Sequence, residues 1–141
     1  MISLEDIKKA HNNISSYIYK TPQIYSNALS TDNQKVYLKL ESMQITGSFK
    51  LRGAINKLLS LSEEQKKRGV VAVSTGNHGK GVAYAAKQLG IKSKIFMSSL
   101  VPKYRCHAIE SLGALVEIVG ANSDEADQYA KNYALKNDIE L

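Results

Sequence analysis

Two short segments combine the residue types needed for amine chemistry on an acid. The first runs from Thr46 to Ala54, and in it Lys50 follows small residues at the predicted start of a helix. The second, Ser74–Gly79, contains hydroxyls, an amide side chain and glycines. A lysine amine can attack a carbonyl, and successive backbone amides in a tight turn can bind an anion. The two segments together predict amine chemistry on a small substrate that carries a carboxylate.

A lysine at a helix start is usually a solvated side chain, so Lys50 needs further support. The positive end of a helix disfavours an ammonium by only about 0.3–1 kcal/mol. Lowering a lysine pKa from ~10.4 to near neutrality requires about 4 kcal/mol. A free nucleophilic lysine here would therefore also need burial. An imine to an aldehyde cofactor removes that requirement, because the resting nitrogen is then not a simple ammonium.

The glycines after the predicted strand at 70–74 match neither common nucleotide motif. Gly76, Gly79 and Gly81 give the order G-x-x-G-x-G, whereas a dinucleotide fingerprint requires G-x-G-x-x-G. Val82 and Ala83 stand where a P-loop would carry lysine and a hydroxyl. A carboxylate is the anion that this turn fits better. The alternative is an ordinary turn whose glycines provide only backbone freedom.

Three other sets of residues are given structural rather than chemical roles. Cys106 and His107 are adjacent, so on a helix they point about 100° apart, and no second Cys/His pair accompanies them; we predict no metal site. His11 lies on a helical stripe and is predicted to be a core or edge histidine. The tyrosines of the N-terminal arm are predicted to pack over the domain: Tyr17, Tyr19 and Tyr25.

Composition argues against nucleic acid and membrane partners. The 141 residues carry a net charge of +6, but the 19 basic residues are scattered among 13 acidic ones, with one tight run at 66–68. No apolar run approaches the ~18 residues of a membrane helix. The N-terminus is acidic where a signal peptide would be basic. A single cysteine, Cys106, agrees with a reducing compartment, so we expect a cytoplasmic protein.

Local patterns predict a three-layer α/β fold with a parallel sheet. A capping box at Ser3–Asp6 opens a helix over 3–15, and a second at Ser62–Gln65 opens a short helix that ends at Gly69. From residue 70 strands and helices alternate, which is typical of a parallel sheet with flanking helices. The predicted ranges are strands at 36–40, 70–74, 94–97 and 115–119, and helices from 48, at 79–89, 102–113 and 123–136. A further strand begins at 139–141.

The chain resembles a known family at these segments. The matching residues are Leu38–Glu41, Thr46–Ala54, Ser74–Gly79 and the turn Leu112–Ala114. They resemble the fold-type II pyridoxal-phosphate (PLP) enzymes, in the serine/threonine dehydratase and serine racemase branch, over essentially the whole chain. The stretch from Ser74 to Leu100 looks especially like the branch linked to hydroxyectoine breakdown.

The resemblance implies roles for individual residues. Lys50 would carry the Schiff base to PLP and then act as the base at the substrate α-carbon. Phe49 would pack near the cofactor ring, and Asn77 would hydrogen-bond the ring hydroxyl. The substrate carboxylate would be held by the turn: Ser74, Thr75, Gly76, Asn77 and His78. The implied reaction is β-elimination of a small hydroxyamino acid, such as threonine, serine or 3-hydroxyaspartate, to a 2-keto acid and ammonia.

The resemblance also implies a domain organisation. Residues 1–47 would belong to the large domain of a tryptophan synthase β-like fold, and 48–141 would form the small α/β domain, incomplete at its C-terminus. The family's glycine-rich phosphate loop and the polar residue facing the pyridine nitrogen have their usual places beyond Leu141. At full length we expect a homo-oligomer.

Three other functions stay open. The chain could be a truncated, non-catalytic α/β fragment, since it lacks the phosphate loop. It could be an anion-binding regulatory module. It could also belong to an amino-acid racemase of the same family, although Thr75 stands where racemases carry a serine, and a bulkier residue there favours elimination.

Overall fold

The computed structural model describes residues 1–141 as two sheets and six α-helices. Helix α1 (Leu4–Ile14) leads into strands β1 (Gln23–Tyr25) and β2 (Tyr37–Lys39), which pair antiparallel. The remaining elements are α2 (Lys50–Leu59), α3 (Glu63–Arg68), β3 (Val70–Val73), α4 (Asn77–Gln88), β4 (Ser93–Met97), α5 (Lys103–Glu110), β5 (Leu115–Ile118) and α6 (Ser123–Asn137).

Strands β3, β4 and β5 form a parallel sheet in that order. Alternate residues of each strand point to opposite faces. Ala72 and Ile95 join the larger apolar core beneath α2, α4 and α5. Val71 and Phe96 face α6, where they pack with Ala130. This three-layer arrangement confirms the predicted α/β class, and both faces of β3 are buried as its continuous apolar run indicated.

The C-terminal residues add to the free edge of the sheet. Glu140 bridges Val70 in parallel, and its carbonyl accepts the Val71 amide at 2.9 Å. The predicted strand opening at 139–141 is therefore present, as one bridge. None of the helices combines the length and apolarity that a membrane span requires.

Three helix boundaries differ by two or more residues from the predicted ones. Helix α2 begins at Lys50, two residues after the expected start at 48. Helix α4 begins at Asn77, two residues before the expected start, because the Ser74 hydroxyl accepts the Gly79 amide at 2.7 Å and so caps its first turn. Helix α5 ends at Glu110, and the chain reaches Gly113 (φ 98°) through a tight turn.

The N-terminal arm packs less than its sequence indicated. The Ser3–Asp6 capping box is present, but strand β1 was not predicted. Of the arm's tyrosines only Tyr17 contacts the core, whereas Tyr19 and Tyr25 are exposed. His11 is exposed as well. Periodicity identifies a helix face, but it does not show whether another element covers that face.

Candidate functional site

The amine of Lys50 lies at the first residue of α2 and is accessible. Gly47, in the left-handed region at φ 76°, turns the chain, and Phe49 precedes the helix without a side-chain cap. The Lys50 amine lies 5.1 Å from the centroid of the Phe49 ring, which is 59% exposed. Lys50 is itself exposed. The burial that a free nucleophilic lysine would need is therefore missing, because the Lys50 side chain itself is exposed.

The turn after β3 is held together by one hydroxyl. Ser74 Oγ accepts the backbone amides of Gly79 at 2.7 Å and of Gly76 at 3.2 Å. The Ser74 side chain is thus occupied within the turn and fixes its shape. Thr75 and Asn77 remain exposed. Their exposed side chains are free to contact a ligand, while the predicted part of Ser74 in binding a carboxylate stays a prediction.

Helix α4 brings the turn against the start of α2. A Cβ added to Gly81 would lie 3.2 Å from the carbonyl carbon of Lys50 and 3.2 Å from the amide nitrogen of Leu51. A side chain at this position would press on the backbone of α2, so glycine allows the close approach of the two helices. One turn earlier on α4, desolvation and then the Lys50 ammonium lower the pKa of His78, so its ring is neutral at pH 7. The two segments singled out by sequence are neighbours.

Open space surrounds this junction. A Cβ added to Gly47, Gly53 or Gly76 would meet no atom within 4 Å. A small apolar cavity of ≈ 130 Å³ lies beside Gly53 and His78. A groove of ≈ 480 Å³ lies instead between α1 and the end of α2, near Asn13, away from Lys50.

Two basic residues lie beside the turn, and the sequence motifs indicated neither of them. Arg105 of α5 donates from Nη1 to the Thr75 carbonyl at 3.2 Å. Lys80 and Arg105 line a cavity of ≈ 370 Å³ next to Gly76 and Asn77. Their positive charge favours an anion at this turn. Lys80 could have been found from its place one helical turn after Asn77, but nothing local to Arg105 indicates its contact.

A partly buried ion pair of α2 was also missed. Glu41, just after β2, accepts Arg52 Nε at 2.9 Å and Nη2 at 2.6 Å, and it accepts the Thr21 hydroxyl at 2.5 Å. The Arg52 guanidinium above all, with Thr21, lowers the pKa of Glu41 to about 2 against desolvation. Arg52 could be seen in the sequence, but its partner lies 11 residues away on a different element.

Glu41→Gln is expected to lower the free energy of unfolding at pH 7 by about 1–2 kcal/mol, after allowing for solvent around Arg52. The folded pKa of about 2 lies below the ordinary 4.5, so the wild-type stabilisation is complete above pH ~4.5 and is lost as the pH falls through about 2. Urea unfolding at pH 7, 4 and 2.5 should show the difference between the two proteins shrinking. Glu64→Gln, at an exposed glutamate, serves as the control, and a constant difference would contradict the assignment.

Comparison with known proteins agrees with this geometry. The model of the pyridoxal-phosphate-dependent enzymes matches residues 14–140. The chain belongs to that family. It is 47% identical over 131 residues to an L-threonine ammonia-lyase of Thermotoga maritima, covering 92% of this chain and 33% of that protein. It is 43% identical to the catabolic L-threonine dehydratase of Staphylococcus aureus, covering 100% of this chain and 41% of that protein.

Solved structures of PLP enzymes share the fold of this chain. Serine racemase from Dictyostelium discoideum superposes with a TM-score of 0.89 at 35% identity, over 99% of this chain and 46% of the racemase. The predicted resemblance and the fold of the PLP enzymes' small domain are thereby confirmed. This PLP-family chain is related to threonine ammonia-lyases and spans less than half the length of these relatives.

Proposed function

We propose that this chain supplies the cofactor lysine and the substrate-carboxylate turn of a PLP-dependent lyase. The lyase would remove water and then ammonia from a small hydroxyamino acid such as threonine, serine or 3-hydroxyaspartate. The observation that carries the proposal is the contact of Gly81 with the Lys50 backbone, which places an accessible amine beside the 74–79 turn. The threonine dehydratase and ammonia-lyase relatives support the same reaction class.

The residues around Lys50 fit the attachment of such a cofactor. The open space at Gly47, Gly53 and Gly76 leaves room for a planar ring, and the exposed Phe49 ring offers it an apolar face. When bound, PLP supplies an electron sink for the substrate α-carbon. The chain has no second glycine-rich loop for the phosphate, so in this proposal Lys50, Phe49 and Asn77 make its contacts with the cofactor.

The chain's own groups then have separate tasks. Lys50 holds the cofactor and afterwards takes the proton from the substrate α-carbon. Thr75, Asn77 and the free amides at the start of α4 orient the carboxylate, and Lys80 and Arg105 add positive charge nearby. His78, neutral at pH 7, places no positive charge beside the Lys50 amine. The separate sheets support a division into 1–47 and 48–141, which stays part of the proposal.

Racemisation is the second candidate, since serine racemases share this fold. Elimination is preferred because Thr75 is bulkier than the serine that the resemblance implies for a racemase. In either case the lysine and the turn keep their places, so the two reactions differ in the fate of the substrate rather than in the cofactor.

The test begins with the purified chain and PLP. Reduction with borohydride followed by peptide mass spectrometry is expected to place one stoichiometric adduct on Lys50, ahead of every other lysine. Threonine, serine and 3-hydroxyaspartate are then added in separate assays, and ammonia and keto acid are measured. Inversion of configuration without ammonia would favour the racemase. Adducts spread over surface lysines, with no turnover, would identify a non-catalytic fragment and refute the proposal.

A further inference from the structure

We propose that Glu41 and Arg52 form a clamp that positions the first turn of α2, and with it Lys50, for attachment to the cofactor. The proposal rests on the proposed function, because it concerns the same lysine. The two side chains are hydrogen-bonded to each other and not to Lys50. They act on the amine only through the backbone of the helix, so they are positioning residues and not catalytic ones.

The start of α2 is not held by its own sequence. Phe49 provides no side-chain cap, and the first turn has only a long side-chain hydrogen bond, which the Lys50 amide donates to Ser48 Oγ at 3.4 Å. The first turn contains no acidic residue, whereas Lys50 and Arg52 both bring positive charge to the positive end of the helix. A helix start of this composition is expected to fray unless something outside the helix stabilises it.

The clamp provides that stabilisation. Arg52 meets Glu41 with two parallel hydrogen bonds, of 2.9 and 2.6 Å, the geometry that a guanidinium fork makes with a carboxylate. The side chains are only 26% and 17% exposed, so water weakens the pair less than it weakens a surface pair. Thr21, which is buried, donates its hydroxyl to the same carboxylate, and Lys39 donates to the Thr21 carbonyl. The Glu41 carboxylate is therefore held in place by Thr21 as well as by Arg52.

The clamp and α4 hold the same turn at two different places. Residues two apart on a helix are about 200° apart around its axis, so Arg52 points away from the side on which Lys50 projects. The Lys50 backbone is backed by Gly81 of α4. The turn is thus held by both Glu41 and α4 while the amine stays exposed. This arrangement fixes the origin of a flexible side chain, which matters because a displacement of 1 Å can cost about 10²-fold in rate.

The test compares Arg52→Lys and Arg52→Gln with Lys94→Gln. Lys94 forms another ion pair, with Glu117, and its side chain is 25% exposed. Lys94→Gln therefore removes an ion pair of similar burial that lies away from α2. Two quantities are measured in each purified chain. The first is amide hydrogen exchange along α2 without cofactor. The second is the initial rate at which borohydride traps PLP on Lys50, relative to Lys57 of the same molecule.

In both Arg52 variants we expect the first-turn amides of α2 to exchange faster than in the wild-type chain, relative to the rest of that helix. We also expect PLP to be trapped on Lys50 roughly tenfold more slowly than in the wild type. Lys94→Gln should change neither ratio. Arg52→Lys keeps the charge but not the fork, so wild-type behaviour in this variant would overturn the clamp. Equal slowing in Lys94→Gln would also overturn it, since the effect would then follow general stability. If the wild-type chain traps no PLP on Lys50, the proposed function fails, while the exchange measurement still decides the clamp.

Discussion

Replacing Lys50 by alanine is expected to abolish the borohydride-trapped PLP adduct, which would fall to the background of the other lysines. The reason is geometric: Lys50 is the amine at the junction of α2 with the 74–79 turn, with open space at Gly47, Gly53 and Gly76 around it. The side chain is exposed, so its removal leaves no cavity and should not unfold the chain. Absorbance of the bound cofactor and peptide mass spectrometry measure the loss.

The matched control for this variant is Lys67→Ala. Lys67 is an exposed lysine on α3, so this change removes the same group from a site without the turn. It should leave both the amount and the position of the adduct unchanged. Circular dichroism of the two variants shows whether the fold is intact. An adduct of wild-type yield in Lys50→Ala would contradict the assignment of the cofactor lysine.

Gly81→Val is expected to have the second largest effect, on stability and on Lys50 together. The new Cβ would lie 3.2 Å from backbone atoms of Lys50 and Leu51, and a helix backbone cannot move aside as a side-chain end can. Helix α4 must therefore shift off α2, at a cost of about 1–3 kcal/mol for an overpacked contact. Separating Lys50 from the turn should slow trapping of PLP by up to about 10²-fold.

Urea unfolding and the trapping rate check this expectation, with Gln88→Val as the comparison. Gln88 is exposed at the end of the same helix, so valine there tests the intrinsic effect of a β-branched residue on α4 without a new contact. That variant should remain within about 0.5 kcal/mol of wild type. If Gly81→Val matched it in both measurements, the close approach of α4 to Lys50 would have no functional importance.

Local patterns in the sequence were sufficient for the six α-helices and the three-layer arrangement, but not for strand β1. The apolar run at 70–73 marked a strand buried on both faces, and the capping boxes at Ser3 and Ser62 marked helix starts that the structure has. These signals act within three or four residues, so they survive without knowledge of the fold. Because these signals act over so short a distance, they could not show that the side chains of Tyr19 and His11 are left exposed by the rest of the fold.

Adjacent residues encode the alternating α/β order, the strand–turn–helix at 70–88 and a lysine at the start of an amphipathic helix, because periodicity, capping and turn chemistry act over a few residues. The packing of Gly81 on Lys50, the ion pair of Glu41 with Arg52, and the hydrogen bond from Arg105 to Thr75, 30 residues away, are visible only in the folded chain. Such contacts depend on how whole helices cross, and crossing is set by the packing of many side chains at once.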